Sequence, residues 1–262
     1  MNEEGEALVY TFKWRISDLK ISNKKILITG VALGGIGEAI MNKLLTQQNQ
    51  VLITSLNMTP ERFSGVKCIA ADCTTEEGIE RLEKWIKDEV ETIDILINTI
   101  GGSLASKHPL ELDSVFLNRV ISVNLTSAVL LTQMGTRVMN QGSIVHIVST
   151  SAYEPSLKKI SYGVAKAGLV YYIRSIAQTL APKIRINGVS PTYVFTRRHN
   201  RELEEKSEKS GVPFEQLASD RYSKQLLKQP LLPEDLNEMI EFTALSPLMT
   251  GKILDASLGR IF

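Results

Sequence analysis

Lys25-Ile26-Leu27-Ile28-Thr29-Gly30-Val31-Ala32-Leu33-Gly34-Gly35-Ile36-Gly37-Glu38 is the stretch on which the fold turns. Its first five residues are a short apolar run ending at a glycine, the pattern of a strand buried on both faces. After the glycines, Ala39, Ile40, Leu44 and Leu45 form a helical stripe between Glu38 and Gln48. A glycine-rich turn between strand and helix lets the backbone approach a pyrophosphate closely, and the helix N-terminus offers free N–H groups to its charge. Glycines also make ordinary turns, so the flanking strand and helix carry the reading. Gly30, Gly35, Ile36 and Gly37 are therefore expected at a dinucleotide.

Outward from this turn, strand and helix alternate. Strands are expected at Val51 to Thr54, Val66 to Ala71, Ile93 to Ile97, Ser143 to Val148, Ile184 to Val189 and Lys252 to Ala256. Thr74 or Thr75 can cap a helix with Ile79, Leu82, Trp85 and Ile86 on its apolar face. Leu110 to Met139 reads as one long or broken helix, Tyr162 to Leu180 as another, and Pro233 to Leu245 as a third. Such alternation predicts an α/β fold, a single doubly wound parallel sheet with helices on both faces. Its ligands bind beyond the carboxyl ends of the strands.

The chain has 262 residues, 43% of them hydrophobic, which suits one large domain. A formal net charge of +1 provides no global field for nucleic acid. No unbroken apolar run reaches about 18 residues, so no membrane span is expected. Cys68 and Cys73 make neither a zinc pattern nor a disulfide framework, and a reducing cytoplasm is the default. His108 and His199 are too scattered for a metal site, so none is expected, and His146 reads as a packed core histidine. Residues 1–23 form an N-terminal extension. Val9, Tyr10, Phe12, Trp14 and Ile16 make it apolar enough to pack on the domain or on a neighbouring subunit.

The chemistry-bearing residues sit at strand ends and on one helix. Tyr162 and Lys166 are four apart, which on a helix puts phenol and ammonium on one face. A nearby ammonium favours phenolate and lowers the tyrosine pKa, suiting a general acid near neutral pH. Ser149 ends the fifth strand, where its hydroxyl can bond the same substrate oxygen. Asn124 is a poor helix former inside the long helical region.

Placed together, these residues resemble the classical short-chain dehydrogenase/reductase family, and the resemblance runs from about Lys24 to Gly259. It implies a Rossmann fold and an NAD(P)-dependent enzyme acting on a carbonyl or secondary alcohol, possible substrates including a 3-oxoacyl thioester on an acyl carrier. A sugar or polyol dehydrogenase is the alternative, and a catalytically silent NAD(P)-binding regulator is one of another class. Asn124, Ser149, Tyr162 and Lys166 fall on the family's tetrad. Tyr162 is implied as acid/base, Ser149 as substrate orienter, Lys166 as ribose binder and pKa modifier, and Asn124 as holder of a relay water. Asp72, beside Cys73, resembles the adenine contact, and Asn98 matches the segment ending the fourth strand. Val194 and Thr196 fall where the nicotinamide carboxamide is held. A homodimer or homotetramer built on the long helix and the tyrosine helix is likewise implied.

The chain departs from the family pattern in places. Val31 to Gly34 makes the glycine loop one residue longer. Thr99 and Ile100 make the floor under the cofactor bulkier, and Thr192 follows Pro191 where a glycine is usual. Ser55 stands where NAD-preferring members carry an acid, so nothing there repels a 2′-phosphate. With Arg62 near, the balance leans to NADP over NAD. The polar segment at 197–229 occupies the place of a substrate lid, where Arg197 or Arg198 can hold an acidic or acyl-carrier-bound substrate.

Overall fold

The computed structural model describes residues 20–105 and 107–260. The reading of residues 1–23 as a packed extension falls largely outside them. The strands are β1 (Lys25–Thr29), β2 (Gln50–Ser55), β3 (Lys67–Ala70), β4 (Ile95–Asn98), β5 (Gly142–Ile147), β6 (Ile184–Pro191) and β7 (Ile253–Ala256). The helices are α1 (Ile36–Leu45), α2 (Glu76–Val90), α3 (Ser114–Ile121), α4 (Ser127–Val138), α5 (Ile160–Leu180), α6 (Arg197–Ser210), α7 (Phe214–Tyr222) and α8 (Asn237–Leu245). The strands form one sheet of order β3-β2-β1-β4-β5-β6-β7. Every pairing in it is parallel, as the alternation predicts. Strand order reverses between β1 and β4, and the crevice at that point lies beyond Thr29 and Asn98.

Successive residues of a strand face opposite sides. Leu27, Leu52, Leu96, Ile144 and Ile186 pack on one face against α2, α4 and α5 through Leu82, Ile86, Leu131, Met134, Leu169 and Ile173. Ile26, Ile28, Ile53, Ile97, Val145 and Val189 fill the other face against α1 and α8 through Ile40, Leu44, Ile240 and Ala244. Thr75 is the cap of α2, its hydroxyl accepting from Gly78 N at 3.1 Å.

The long helical region is broken. Asp113 caps α3 by accepting from Phe116 N at 2.7 Å, and Ser122–Thr126 is a π-helical stretch that joins α3 to α4. Asn124 lies inside it, its amide donating to Val120 O at 2.9 Å. Such π-bulges commonly mark functional sites. The helical run Ser114–Val138 is long and apolar enough, by length and composition alone, to cross a membrane, a test that a helix packed on a sheet also meets. Asn118, Arg119, Ser122 and Asn124 interrupt its apolar residues. In the fold its buried face covers the sheet, with Leu131 and Met134 fully enclosed.

His146 is a core residue, as expected, and its neighbours determine its tautomer. Asn98 Oδ1 accepts from the Thr29 hydroxyl at 2.8 Å and from Ile100 N at 3.0 Å, so Asn98 Nδ2 is the donor to His146 Nδ1 at 3.0 Å. Nε2 therefore carries the proton and donates to the Thr132 hydroxyl at 3.0 Å, which itself donates to Ala128 O. This neutral chain ties β1, β4, β5 and α4 together just beneath the strand ends. Burial, with Lys166 adding to it, pushes the His146 pKa down to about 3.

Candidate active site

A cavity of about 520 Å³ opens at the carboxyl ends of β1, β4, β5 and β6. The glycine loop forms one end. Loop Glu154–Ser156, the start of α5 and the end of α7 form the other, and Ser149, Tyr162 and Lys166 line it between them. Of the residues singled out by sequence, Gly30, Gly35, Ile36, Gly37, Ser149, Tyr162, Lys166, Val194 and Thr196 all line this one cavity.

Tyr162 and Lys166 share a face of α5, with Lys166 Nζ 5.8 Å from the phenol ring centre. Lys166 is only 2% exposed and donates to Ile147 O at 2.8 Å. Ser149 caps a short 3-10 turn, its oxygen accepting from Ser151 N at 3.1 Å, and it hydrogen-bonds the Tyr162 hydroxyl. Gly101 brings the loop after β4 against both amine and amide. A Cβ built there would lie 2.9 Å from Asn124 Oδ1 and 3.0 Å from Lys166 Nζ.

The electrostatics reverse one expectation. Burial raises the Tyr162 pKa, and the Ser149 hydrogen bond and the Arg198 charge only partly oppose it. Burial also drives Lys166 down to about 7. Desolvation of both groups thus outweighs the attraction expected from their spacing, because spacing reports proximity and not dielectric. An amine near 7 shares its proton readily around neutral pH, a property suited to a proton path.

The other predicted residues lie off the cavity wall. Asn124 is 1% exposed, and its side chain is engaged with the loop: Oδ1 accepts from Gly102 N at 3.0 Å and Nδ2 donates to Gly102 O at 2.9 Å. Asn98 belongs to the His146 chain. Asp72 accepts from Thr74 N at 2.9 Å in a local turn, and burial pushes the adjacent Cys73 thiol up to about 12. Ser55, Asp72 and Cys73 end β2 and β3 on the same edge of the sheet as the cavity.

The glycine loop meets the start of α6 through Gly34. Gly34 has φ +65°, a conformation that L side chains rarely adopt, and its carbonyl accepts from Arg197 N at 3.0 Å. A Cβ on Gly34 would overlap the Cβ of Arg197. Its N–H donates to Glu38 Oε2 at 2.6 Å. The segment expected as a lid folds as α6 and α7, with Thr196 capping α6 by accepting from His199 N at 3.3 Å. Lys159, Arg198, His199, Arg221 and Arg260 also line the cavity. Sequence had flagged Arg198 among them. Lys159 stands just before α5, with φ −135° and ψ 30°, so no helical spacing in the sequence ties it to Tyr162.

A family model described as short chain dehydrogenase matches residues 24–207. A 3-oxoacyl-acyl-carrier-protein reductase of Aquifex aeolicus is 29% identical over 261 residues, covering 92% of this chain and 99% of that protein. An NAD-dependent glycerol dehydrogenase of Listeria innocua is 29% identical over 199 residues, covering 71% and 76%. The fold is shared with L-sorbose reductase of Gluconobacter frateurii, solved with NADPH and L-sorbose. It has a TM-score of 0.83 at 22% identity and coverages of 93% and 98%. The chain belongs to the short chain dehydrogenase family and is an NAD(P)-dependent oxidoreductase of the CH–OH/C=O class.

Proposed function

We propose that this chain reduces a ketone to a secondary alcohol with NADPH, or runs the reverse oxidation, with Tyr162 as the proton donor and acceptor. The observation that carries the reading is the meeting of Ser149, Tyr162 and Lys166 on the wall that the glycine loop also forms. The glycine backbone and the α1 N-terminus suit a pyrophosphate, and the buried Lys166 ammonium suits ribose hydroxyls. The nicotinamide, when bound, supplies or takes the hydride. Ser149 orients the carbonyl oxygen, and the Tyr162 hydroxyl gives that oxygen its proton as the carbon becomes C–H; in reverse it takes the proton back. Val194 and Thr196 hold the carboxamide. Ser55, Asp72 and Cys73 bound the adenine half, Asn98 supports the cofactor floor by accepting from Ile100 N, and Asn124 holds the loop at Gly101 and Gly102 in place.

NADP is favoured because Ser55 brings no carboxylate and because Arg62, Arg197, Arg198 and Arg201 outnumber Glu202 and Glu205 around one depression beside Leu33. Exposed Val115, Val164 and Tyr171 on α3 and α5 support a dimer or tetramer built on those helices. A 3-oxoacyl substrate is supported by the full-length match to the Aquifex reductase. The glycerol dehydrogenase match favours the second reading, a sugar or polyol. The test is Tyr162→Phe against a panel of 3-oxoacyl thioesters and ketoses. Turnover should fall by about 10²-fold or more while NADPH binding persists. Equal turnover by wild type and variant, or none by wild type on any member, defeats the proposal.

A further inference from the structure

The cavity wall carries six basic side chains, Lys159, Lys166, Arg198, Arg221, Lys224 and Arg260, against the two carboxylates Glu154 and Asp220. The chain as a whole is nearly neutral at +1, so this is local charge separation. Only part of it is compensated. Arg260 holds Glu154 through two bonds, 2.6 and 2.9 Å. Arg198 meets Glu202 loosely at 3.4 Å, with both side chains more than half exposed. Arg221 has a π face as its neighbour, its guanidinium 5.0 Å from the centre of the Tyr193 ring. Lys159 is half-buried, and its ammonium forms no hydrogen bond or ion pair among the described residues. Burial, then Arg221, lowers its pKa, while Glu202 works weakly the other way.

Resting on the oxidoreductase reading above, we propose that the substrate carries an oxyanion, a carboxylate or a phosphate, and that Lys159 with Arg198 binds it beside Tyr162. A partly desolvated ammonium without a partner is costly unless a ligand completes it. Lys159 stands at the N-terminus of α5 and lines the same cavity as Tyr162, so an anion held there leaves the neighbouring carbonyl of the same molecule at the phenol. Arg198 closes the opposite side from α6, its Nη1 3.0 Å from where a Gly102 Cβ would stand. The cofactor's phosphates belong to the far end of the cavity, against Gly34 to Gly37.

The proposal is tested by calorimetry on the protein saturated with NADP⁺. The probes are 3-hydroxybutanoate against its methyl ester, and glycerol 3-phosphate against glycerol. Binding is read without turnover, so failure of catalysis and failure of the anion site are separate results. One anion should bind at least tenfold more tightly than its neutral partner, about 1.4 kcal/mol, and which pair shows it names the group. Lys159→Met and Lys159→Gln should each bring that ratio to near one. Lys159→Arg should retain it, as should Lys158→Met at the exposed neighbour. Equal binding within both pairs, no binding of either anion, a ratio unchanged in both Lys159→Met and Lys159→Gln, or an anion advantage that NADP⁺ abolishes each overturns the proposal.

Discussion

Below pH 7, acid should destabilise this protein through His146. The imidazole is fully buried and neutral, accepting from Asn98 and donating to Thr132, and its pKa stands near 3. In the unfolded chain it returns to about 6.5. Between those values the unfolded state binds the extra proton, so stability is fully present above 6.5 and is lost as pH falls towards 3. Integrating the two pKa values from pH 7 to pH 4 gives a loss of about 3 kcal/mol from this one residue. Carboxylates titrate in the same range, so the comparison must be internal. Urea unfolding of wild type and His146→Gln, measured from pH 7 to pH 4, isolates the imidazole. The variant starts less stable, because Asn98 and Thr132 lose a shaped partner, and the gap should close by about that amount on acidification. If Gln does not fold, His146→Asn serves the same comparison. Parallel pH curves, or a widening gap, would refute the neutral buried histidine and the hydrogen-bond directions deduced for it.

Gly34→Ala should lower stability by about 1–2 kcal/mol from the left-handed backbone alone and should weaken NADPH binding, because the overlap with Arg197 separates glycine loop from α6; an unchanged urea midpoint and affinity would contradict this. For Lys166, a native pKa near 7 against the usual 10.5 means that stability falls as pH drops from 10.5 to 7, by up to about 1.4 kcal/mol per unit. Lys166→Met should flatten that slope in chemical denaturation, and a slope unchanged by the substitution would show that the amine is not desolvated as described.

Strands were the most legible part of the sequence, since a run such as Ile26-Leu27-Ile28 has one reading when bounded by a glycine. The start of α1 was placed two residues late, at Glu38, because Gly35 to Gly37 read as loop while the helix in fact begins at Ile36. The π-helical break at Asn124 has no signature in a 3.6-residue period, although a poor helix former in an apolar helix was a trace of it. Tyr162 and Lys166 were found from spacing, yet the sign of the phenol's shift was not, since burial is a property of the whole fold. Lys159 was not within reach of that spacing argument, since it precedes the helix with φ −135° and ψ 30°. Nor was Arg260, because its partner Glu154 lies 106 residues away and no local pattern joins them.

The central claim is that the cavity between the glycine loop and Tyr162 takes a nicotinamide dinucleotide, with Arg62 favouring the 2′-phosphate. Fluorescence titration of the purified protein with NADPH and then NADH tests it most directly, with Arg62→Ala alongside. The account predicts saturable binding, NADPH tighter than NADH by at least tenfold or about 1.4 kcal/mol, and a smaller preference in the variant. Absence of binding by either nucleotide at millimolar concentration would contradict the account, whatever the arrangement of Ser149, Tyr162 and Lys166.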